Sequence, residues 1–294
     1  MIGNIASLVS VNSGQSFIEE GISSKLKEGK YGPTFFMATK AGTEKYKTGS
    51  HVNTDIINGV IGIGNIMEMA NGDLGYMAFY EYGKGNYKVK NSAGREGKGD
   101  IRYHGLAFGT KYRFKNDYYI EGSARGGHVK NHANDVLSDG IGNSYSYDTS
   151  SHYLGGHFGV GKVVKLSHDM NLDGYGKFIY SHIAKDDFNA GGEYKLDAVE
   201  SKILKVGAKL TQKFNSLELQ YGLALEHEFD GKAKGDVEGI AIESASIKGT
   251  SGVFEIGMKL MPSPESAWEF GAGIKGYVGK HRGLRGDLAI SYKF

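Results

Sequence analysis

Two stretches of the sequence have the residue types and spacing of chemical motifs, but each lacks an essential part. Gly156 to Val163 reads GHFGVGKV and matches the phosphate-binding pattern G-x-x-x-x-G-K, with Val163 where that motif needs a Ser or Thr to bind Mg²⁺. The residues that follow continue as a strand instead of opening a helix. His128 and His132 are four residues apart, in a predicted surface loop without a third ligand. The sequence therefore predicts neither a nucleotide site nor a metal site.

A third set of candidates consists of charged residues that alternate with apolar ones along predicted strands. The acidic members are Glu121, Glu218, Glu226, Glu228, Glu255, Glu269 and Asp287. The basic members are Arg125, Lys205, Lys209, Lys259, Lys275 and Arg285. Two carboxylates in a narrow channel could act as general acid and base, because confinement perturbs their pKa values. Mixed charges more commonly hydrate and brace a lumen, which is the interpretation we favour, and we predict no catalytic residue and no cofactor.

The composition favours strands over helices and excludes several classes of function. The 294 residues include 46 Gly, 19 Tyr and 14 Phe, with 3 Pro and no Cys. Without Cys, thiolate metal sites and disulfide bonds are excluded. The net charge is +2, from 35 basic and 33 acidic residues without a basic block, so nucleic acid is not expected as a partner. A mean hydropathy of −0.37 is compatible with a membrane barrel, whose strands face lipid on one side and water on the other.

From residue 31 to residue 294 the chain repeats segments in which apolar and polar side chains alternate. Twelve such segments lie at 33–42, 54–64, 74–83, 101–114, 118–129, 152–165, 171–182, 201–214, 217–229, 248–260, 267–279 and 284–294. In the last one, Leu284, Leu288 and Ile290 share one face, while Arg285 and Asp287 share the other. An even number of similar strands is what a closed antiparallel barrel requires. We therefore predict an all-β fold, a 12-stranded antiparallel transmembrane β-barrel.

Alternation alone does not separate a membrane barrel from a soluble sandwich, which would bury the same apolar face against a second sheet. The connections favour the barrel, because short ones alternate with long ones until the connection at 280–283. Short connections lie at 115–117, 166–170, 215–216 and 261–266, and long ones at 43–53, 84–100, 130–151, 183–200 and 230–247. Aromatic residues crowd the short turns, as in the interfacial belt of a membrane protein. We expect the short turns and the C-terminus in the periplasm and the long loops outside the cell.

The first 30 residues differ from the rest and form a predicted linker, with one short α-helix at about residues 14–28. Ser16 is a possible N-cap, and Phe17 and Ile22 follow at positions suited to a helix that Gly21 interrupts. At ~1.5 Å per residue such a helix is about 18 Å long, enough to thread most of a barrel lumen. Packing across the mouth of the barrel is the alternative that the spacing leaves open.

Two motifs in the last third of the chain resemble the β-domains of autotransporters. Residues 221–231 read YGLALEHEFDG and are similar to the family's strand motif ending in E-H-E-F-D-G. Residues 271–294 read GAGIKGYVGKHRGLRGDLAISYKF and are similar to its closing hairpin, in which a G-Y-x-G-K-R-x-G turn precedes a strand ending in an aromatic residue. The turn differs only by His281, inserted between Lys280 and Arg282.

The resemblance implies a translocator that inserts in the outer membrane with its helical linker in the pore, assists export of an N-terminal passenger to the cell surface and anchors it there. It implies outer-membrane lipid and the barrel assembly machinery as partners, the latter reading the last strand through Tyr292 and Phe294. We also expect a monomer. Because residues 1–4 lack the features of a signal peptide and little passenger precedes the helix, we expect an expressed fragment.

Some members of this family cut their own passenger inside the barrel, using an Asn of the linker or acidic residues of the wall. Asn4 and Asn12 lie in the corresponding region of this chain, although neither matches a cleavage motif. Apart from such a single-turnover cleavage, the resemblance implies that the protein is not an enzyme.

Two other functions stay open on the sequence. In a plain porin or adhesin barrel, the pore or the loops would be the function, and residues 1–30 would be incidental. In a membrane-embedded hydrolase, acids such as Glu226 or Glu228 would act on a substrate. A pore filled by the helix favours the translocator over the porin, and activity lost on mutating these acids would favour the hydrolase.

Overall fold

The computed structural model describes residues 2–25, 32–48, 51–90, 96–138, 144–242, 244–263 and 266–294. Its helix α1 spans Ile2–Lys25. The strands in chain order are β1 Gly32–Lys47, β2 His51–Met69, β3 Gly72–Lys90, β4 Glu96–Phe114, β5 Tyr118–Ser138, β6 Ser144–Lys165, β7 Met170–Ile183, β8 Asp186–Asn189, β9 Glu193–Leu196, β10 Val199–Phe214, β11 Leu217–Glu228, β12 Lys232–Ala233, β13 Gly235–Val237, β14 Ile240–Ala241, β15 Ala245–Ser246, β16 Gly249–Leu260, β17 Trp268–Gly279 and β18 His281–Lys293. The twelve long strands form a closed barrel, and the six short ones form two small sheets.

Strands β1 and β18 close the barrel. Their antiparallel register runs from Thr34 opposite Lys293 to Tyr46 opposite His281. Each of the other long strands pairs on both sides with its neighbours along the chain. In lipid an unpaired backbone N–H or C=O group is costly, so a sheet that spans a membrane has to close. The predicted 12-stranded antiparallel barrel is confirmed.

Apolar side chains cover the outside of the barrel and charged ones face the inside. Leu223 on β11 and Leu288 on β18 are 71% and 61% exposed, whereas Arg125 on β5 and Arg285 on β18 are 3% and 6% exposed. Successive side chains of a strand point to opposite faces, so the alternation in the sequence becomes an outside and an inside. A soluble sandwich would bury its apolar face, and the structure rejects that alternative.

Short connections mark one end of the barrel, the short-turn end. Strands are joined there at 70–71, 115–117, 166–169, 215–216 and 261–267. Asp117 and Asn215 adopt positive φ angles of 66° and 26° in two of these turns, a conformation that Asp and Asn tolerate well. The rings of Trp268 and Tyr292 lie 4.8 Å apart at this end, and the rings of Tyr292 and Phe294 lie 5.1 Å apart. Strand β1 begins and β18 ends here.

At the opposite end, the long-loop end, three of the predicted long connections are wrong. Residues 43–53, 84–100 and 130–151 consist mostly of strand, because β1 to β6 continue beyond the apolar band. Their outward residues in this part are polar, which hid the strands from an analysis based on alternating hydrophobicity. Residues 183–200 and 230–247 do hold long connections, and these contain the two small sheets.

The small sheets lie over the lumen at the long-loop end. Phe188 of β8 stacks between Tyr147 of β6 and Tyr194 of β9, with ring centroids 4.1 and 5.0 Å away. Asn4 of α1 donates a hydrogen bond from Nδ2 to the Asp197 carbonyl at 3.3 Å. The first turn of α1 therefore lies directly beneath these loops.

Helix α1 runs through the lumen and begins earlier than predicted. It starts at Ile2 and not near residue 14. Ser16 is not an N-cap, because it lies within the helix and its Oγ donates to the Ser13 carbonyl at 2.9 Å. Residues 3–19 are all buried except Asn12, which is partly exposed, so the helix has no polar face and no 3.6-residue hydrophobic period to detect. Within the described residues no helix is long and apolar enough to cross a membrane.

Gly14 allows α1 to pass the barrel wall. A Cβ atom added here would lie 2.9 Å from Arg125 Nη2 and closer still to the Tyr103 hydroxyl. We predict that Gly14→Leu destabilises the folded barrel by about 1–3 kcal/mol, as overpacking of a filled interior does. The measurement is the thermal unfolding midpoint in detergent, with Gly176→Leu as the control, because nothing lies within 4 Å of a Cβ added there. Equal midpoints for the two variants would contradict a tightly filled lumen.

Candidate functional site

The N-terminal half of α1 is held by apolar contacts. Ile5, Leu8 and Val9 are completely buried. They belong to one cluster with aromatic and branched side chains of the wall, which are Tyr46, Val52, Tyr87, Val89, Ile101, Tyr103, Val129, Tyr147, Tyr153, Ile183 and Val199. Burying one side chain of this size contributes about 1.5–3 kcal/mol. This apolar collar holds the first turns of the helix near the long-loop end.

The C-terminal half of α1 receives hydrogen bonds from the wall. Asn58 of β2 donates from Nδ2 to Ser13 Oγ at 2.7 Å. Lys40 of β1 donates from Nζ to Ser16 Oγ at 3.0 Å. A buried hydroxyl without such a partner would cost about 1–3 kcal/mol. Because hydrogen bonds are directional, these contacts set the rotation and depth of the helix in the lumen.

Arg125, one of the predicted lumen residues, joins α1 to the wall. Its Nε and Nη2 donate to the two carboxylate oxygens of Glu81 at 2.8 and 2.7 Å, and its Nη1 donates to the Val11 carbonyl at 2.6 Å. Tyr153 donates a further hydrogen bond to Glu81 at 2.7 Å. The Arg125 and Glu81 side chains are 0% and 1% exposed. A pair buried this deeply needs several good partners to offset its desolvation, and both groups have them.

Glu19 fixes α1 one turn below the Ser16 contacts. Lys205 Nζ lies 3.1 Å from a carboxylate oxygen of Glu19 and 3.1 Å from one of Glu226. Lys177 donates to the backbone carbonyl of Glu19 and pairs with Glu121 at 2.6 Å. The structure thus brings together the predicted Glu121, Lys205 and Glu226. Glu19 and Lys177, which the sequence analysis missed, belong to the same group.

A second group of charges lies at the seam, the line where β1 pairs with β18. Glu44 of β1 is 1% exposed and pairs with Arg285 of β18. His281 Nε2 lies 3.1 Å from the same carboxylate. Arg285 also donates from Nη1 to Ser16 Oγ at 3.3 Å. These contacts link the two closing strands to each other and to the helix.

The other predicted lumen residues interact mainly along the wall. Glu255 lies 2.9 Å from Lys209 and 3.0 Å from Lys275, and Lys259 lies 3.7 Å from Glu269. Glu218 accepts a hydrogen bond from Gln220 at 2.6 Å. Glu228 accepts hydrogen bonds from the Ser201 hydroxyl and the Lys202 amide. Asp287 lies opposite Lys40 on one side and Gly273 on the other in the strand register. Opposite charges recur in this arrangement, which favours the bracing interpretation over paired carboxylates for catalysis.

The asparagines considered for self-cleavage both lie within α1. Asn12 donates from Nδ2 to Ser201 Oγ at 3.0 Å, and Ser201 donates in turn to Glu228. Asn4 contacts the loop residue Asp197. Self-cleavage stays a hypothesis, for which the mass of the folded chain is the direct measurement.

Neither incomplete motif of the sequence forms a site. Residues 156–163 lie within β6, and the extended backbone does not wrap a phosphate as a glycine-rich loop does. His128 and His132 lie on the outside of β5, so their predicted loop position is wrong. Among the residues that the structure describes, no three His, Cys, Asp or Glu side chains are grouped so that they could hold a metal ion.

Besides Glu19 of α1, the sequence analysis missed charged residues of the described wall that contact α1 or its partners, among them Lys40, Glu44, Glu81 and Lys177. Glu44 fell in a predicted loop because the first strand was ended at residue 42. Glu81 has no charged residue two positions away on its own face, where Phe79 and Gly83 are its neighbours. Extending the first period-2 pattern would have found Glu44, whereas Lys40, Glu81 and Lys177 already lie at inward positions of predicted segments and could have been found from the alternation itself.

The barrel is closed, its outside is apolar, its inside is charged, and a helix is fixed in its lumen. These features place the protein in the class of outer-membrane barrels with an internal helix. The family model of the autotransporter β-domain matches residues 35–275. The chain therefore belongs to the autotransporter β-domain family. As a member of it, the protein is an outer-membrane translocator barrel and not an enzyme, as predicted.

Solved structures of translocator domains have the same fold. The chain is similar to the translocator domain of autotransporter NalP from Neisseria meningitidis, with 14% identity, 98% of each chain covered and a TM-score of 0.75. For the β-domain of the Bordetella autotransporter Brka the identity is 12%, the coverage 90% of this chain and 100% of that one, and the TM-score 0.70. For the transport unit of the autotransporter AIDA-I from Escherichia coli the identity is 14%, the coverage 97% of this chain and 98% of that one, and the TM-score 0.63. No curated protein matches the chain in sequence.

Neutralising Glu81 would leave the Arg125 guanidinium buried without its counter-charge. We predict that Glu81→Gln lowers the free energy of unfolding by about 3–5 kcal/mol, the usual effect of breaking a buried pair. Thermal denaturation of the purified barrel measures it. The control is Lys202→Gln, which removes an exposed charge 2.6 Å from Glu200 and 3.1 Å from Asp230, and which should cost at most about 1 kcal/mol. Comparable losses in both variants would argue against the buried pair as a structural anchor.

Proposed function

We propose that the barrel assists export of a passenger joined to the N-terminus of α1 and then anchors it at the cell surface. The direction of α1 carries this proposal. Its N-terminal half lies in the apolar collar near the long-loop end, and the chain after its C-terminus leads to β1, which begins at the short-turn end. A segment that precedes α1 therefore leaves the lumen at the long-loop end. The buried contacts of Arg125 and Lys205 then hold the helix in place.

We infer that the long-loop end faces the outside of the cell and the short-turn end faces the periplasm. The inequality of the two ends supports this orientation. One end has turns of a few residues, while the other has strands that extend beyond the apolar band and loops that form small sheets. Outer-membrane barrels have short periplasmic turns and longer extracellular loops. Outer-membrane lipid would then surround the apolar band, and a single closed barrel is consistent with a monomer.

The proposed assembly signal lies at the periplasmic end in this orientation. Phe294 is 75% exposed, and its backbone N–H donates to the Pro33 carbonyl at 3.0 Å. The Tyr292 ring lies 5.1 Å from the Phe294 ring on the same outward face. Both rings thus lie at the outer surface of the proposed periplasmic rim, which supports a role for them in recognition by the barrel assembly machinery.

The alternatives have less support. A porin needs a lumen that is open from end to end, whereas α1 fills this lumen from the apolar collar at the long-loop end down to Glu19, where Lys205 pairs with it. A hydrolase needs an acid that is available to a substrate, whereas Glu226 lies 3.1 Å from Lys205, and Glu228 accepts from Ser201. Export and anchoring, by contrast, require a closed barrel and a helix that is held in its lumen, and both are present.

The orientation and the direction of export can be tested together. A chain with a signal peptide and an epitope before Met1, and a second epitope after Lys234 in the long-loop connection, should expose both epitopes to protease added to intact cells. A third epitope placed between Asn116 and Asp117, in a short turn, should be cut only after the outer membrane is permeabilised. Protection of the N-terminal epitope alone would overturn export, and cleavage at the short turn in intact cells would overturn the orientation.

Deleting Phe294 should impair assembly much more than stability. The ring is largely exposed, so its loss removes little packing from the folded barrel. We expect a several-fold lower folded fraction in outer membranes, measured by heat-modifiable mobility, with an unchanged thermal midpoint for protein refolded in detergent. Phe294→Trp keeps a terminal aromatic ring and serves as the control. Wild-type assembly of the deletion would count against a recognition role for this residue.

A further inference from the structure

On the outer face of β3 to β6, apolar side chains are followed toward the long-loop end by a row of histidines and then by a row of cations. Leu106 of β4 and Leu154 of β6 are outward and 69% and 62% exposed. The next outward residues toward the long-loop end are His104 of β4, His128 of β5 and His152 of β6. The row beyond them contains Lys84 of β3, Arg102 of β4 and Lys130 of β5. We call these six side chains the cationic patch.

The strand register places like charges directly opposite each other in this patch. Lys84 of β3 is paired with Arg102 of β4, and Arg102 is paired with Lys130 of β5. Neighbouring strands are ~4.8 Å apart, so the three cations span about 10 Å. Like charges at opposed positions of a sheet destabilise it. An anion between them would remove that repulsion.

The histidines form a second row beneath the cations. His104 is paired with His128, and His128 with His152, with ring centroids 6.3 and 4.8 Å apart. The hydroxyl of Ser150 lies 2.7 Å from His128 Nε2. Imidazole N–H groups can donate hydrogen bonds to an anionic oxygen.

Three acidic residues of the described chain lie beside the patch: Asp100 of β4, Asp148 of β6 and Asp186 of β8, which accepts a hydrogen bond from the Ser150 amide at 2.6 Å. Arg102 lies 3.8 Å from Asp100, and its side chain is 61% exposed, so this contact is weak. Lys84 and Lys130 form no ion pair within the described ranges of the chain, and Asp148 pairs with His132 at 2.6 Å. By contrast, Lys202 on β10 has both Glu200 and Asp230 as partners.

We propose that the cationic patch binds the phosphate group of an anionic lipid of the outer leaflet. A guanidinium between two ammonium groups matches a phosphate, because Arg can bind it through two parallel hydrogen bonds. The adjoining exposed leucines offer a surface to acyl chains, which a free anion would not use. The choice of the outer leaflet rests on the proposed orientation, in which the long-loop end faces outward.

Lipid binding can be measured on the purified full chain in zwitterionic detergent, by native mass spectrometry and by the rise in thermal midpoint. The probe is lipid A with both phosphates, compared with dephosphorylated lipid A of the same acyl chains. We expect the variant Lys84→Gln/Arg102→Gln/Lys130→Gln to bind lipid A at least tenfold more weakly than the unmodified chain. Its midpoint without lipid should be unchanged or higher, because the repulsion is gone.

The matched control is Lys115→Gln/Lys162→Gln/Lys165→Gln, which removes the same charge from exposed positions at the short-turn end. This control variant should bind lipid A as tightly as the unmodified chain. If both triple variants bound lipid A equally weakly, net charge alone would explain the loss of affinity, and the proposal would be overturned. Equal binding of dephosphorylated lipid A, or displacement of lipid A by an equal concentration of inorganic phosphate, would also overturn it. Export is tested by protease on intact cells and lipid binding on the purified chain, so a failure of one proposal can be distinguished from a failure of the other.

Discussion

Every backbone N–H and C=O group that crosses the lipid has to find a partner within the protein, and the rest of this structure depends on that requirement. It makes the sheet close where β1 pairs with β18. Closure creates an interior, and the interior of a 12-stranded barrel of this kind has to be filled or hydrated. The seam itself is reinforced from inside, because Glu44 and Arg285 belong to the two closing strands and form a buried pair.

The helix is the main filling of that interior in the described part of the chain, and its character changes along its axis. Toward its N-terminus, Ile5 and Leu8 meet aromatic rings of the wall. Further along, Ser13 and Ser16 accept hydrogen bonds from Asn58 and Lys40. Apolar burial supplies most of the stabilisation of such a contact, while hydrogen bonds and ion pairs penalise other rotations and depths. A helix that stays at one depth and one rotation in the lumen needs both.

The charged lumen follows from the same geometry. A single charge beside α1 would lose its hydration without compensation, whereas opposite charges on neighbouring strands stabilise each other. Arg125 pairs with Glu81 of the wall and also donates to the Val11 carbonyl of α1, and Lys205 pairs both with Glu226 of the wall and with Glu19 of α1. Outside the barrel the requirement is reversed, because lipid chains accept apolar side chains and only the rims carry charge.

The sequence by itself determined the elements that depend on local alternation. The twelve strands, the outward position of Leu288 and the inward position of Arg285 all follow from a period of two residues, which is a property of neighbouring side chains. The two motifs near the C-terminus added the family, and residues 35–275 match its model.

Only the tertiary structure decided which charges meet, how far the strands extend and where α1 begins. Glu81 and Arg125 are 44 positions apart, and their contact depends on the register of β3 to β5. The polar ends of β1 to β6 have no apolar alternation, because they project beyond the lipid. The first turns of α1 have no hydrophobic period, since the barrel surrounds them on every side. Side chains alternate along a strand only where its two faces meet different surroundings, here lipid and lumen. No such pattern arises in a helix that is buried on every side, and a pattern within one strand does not show which charges of other strands it meets.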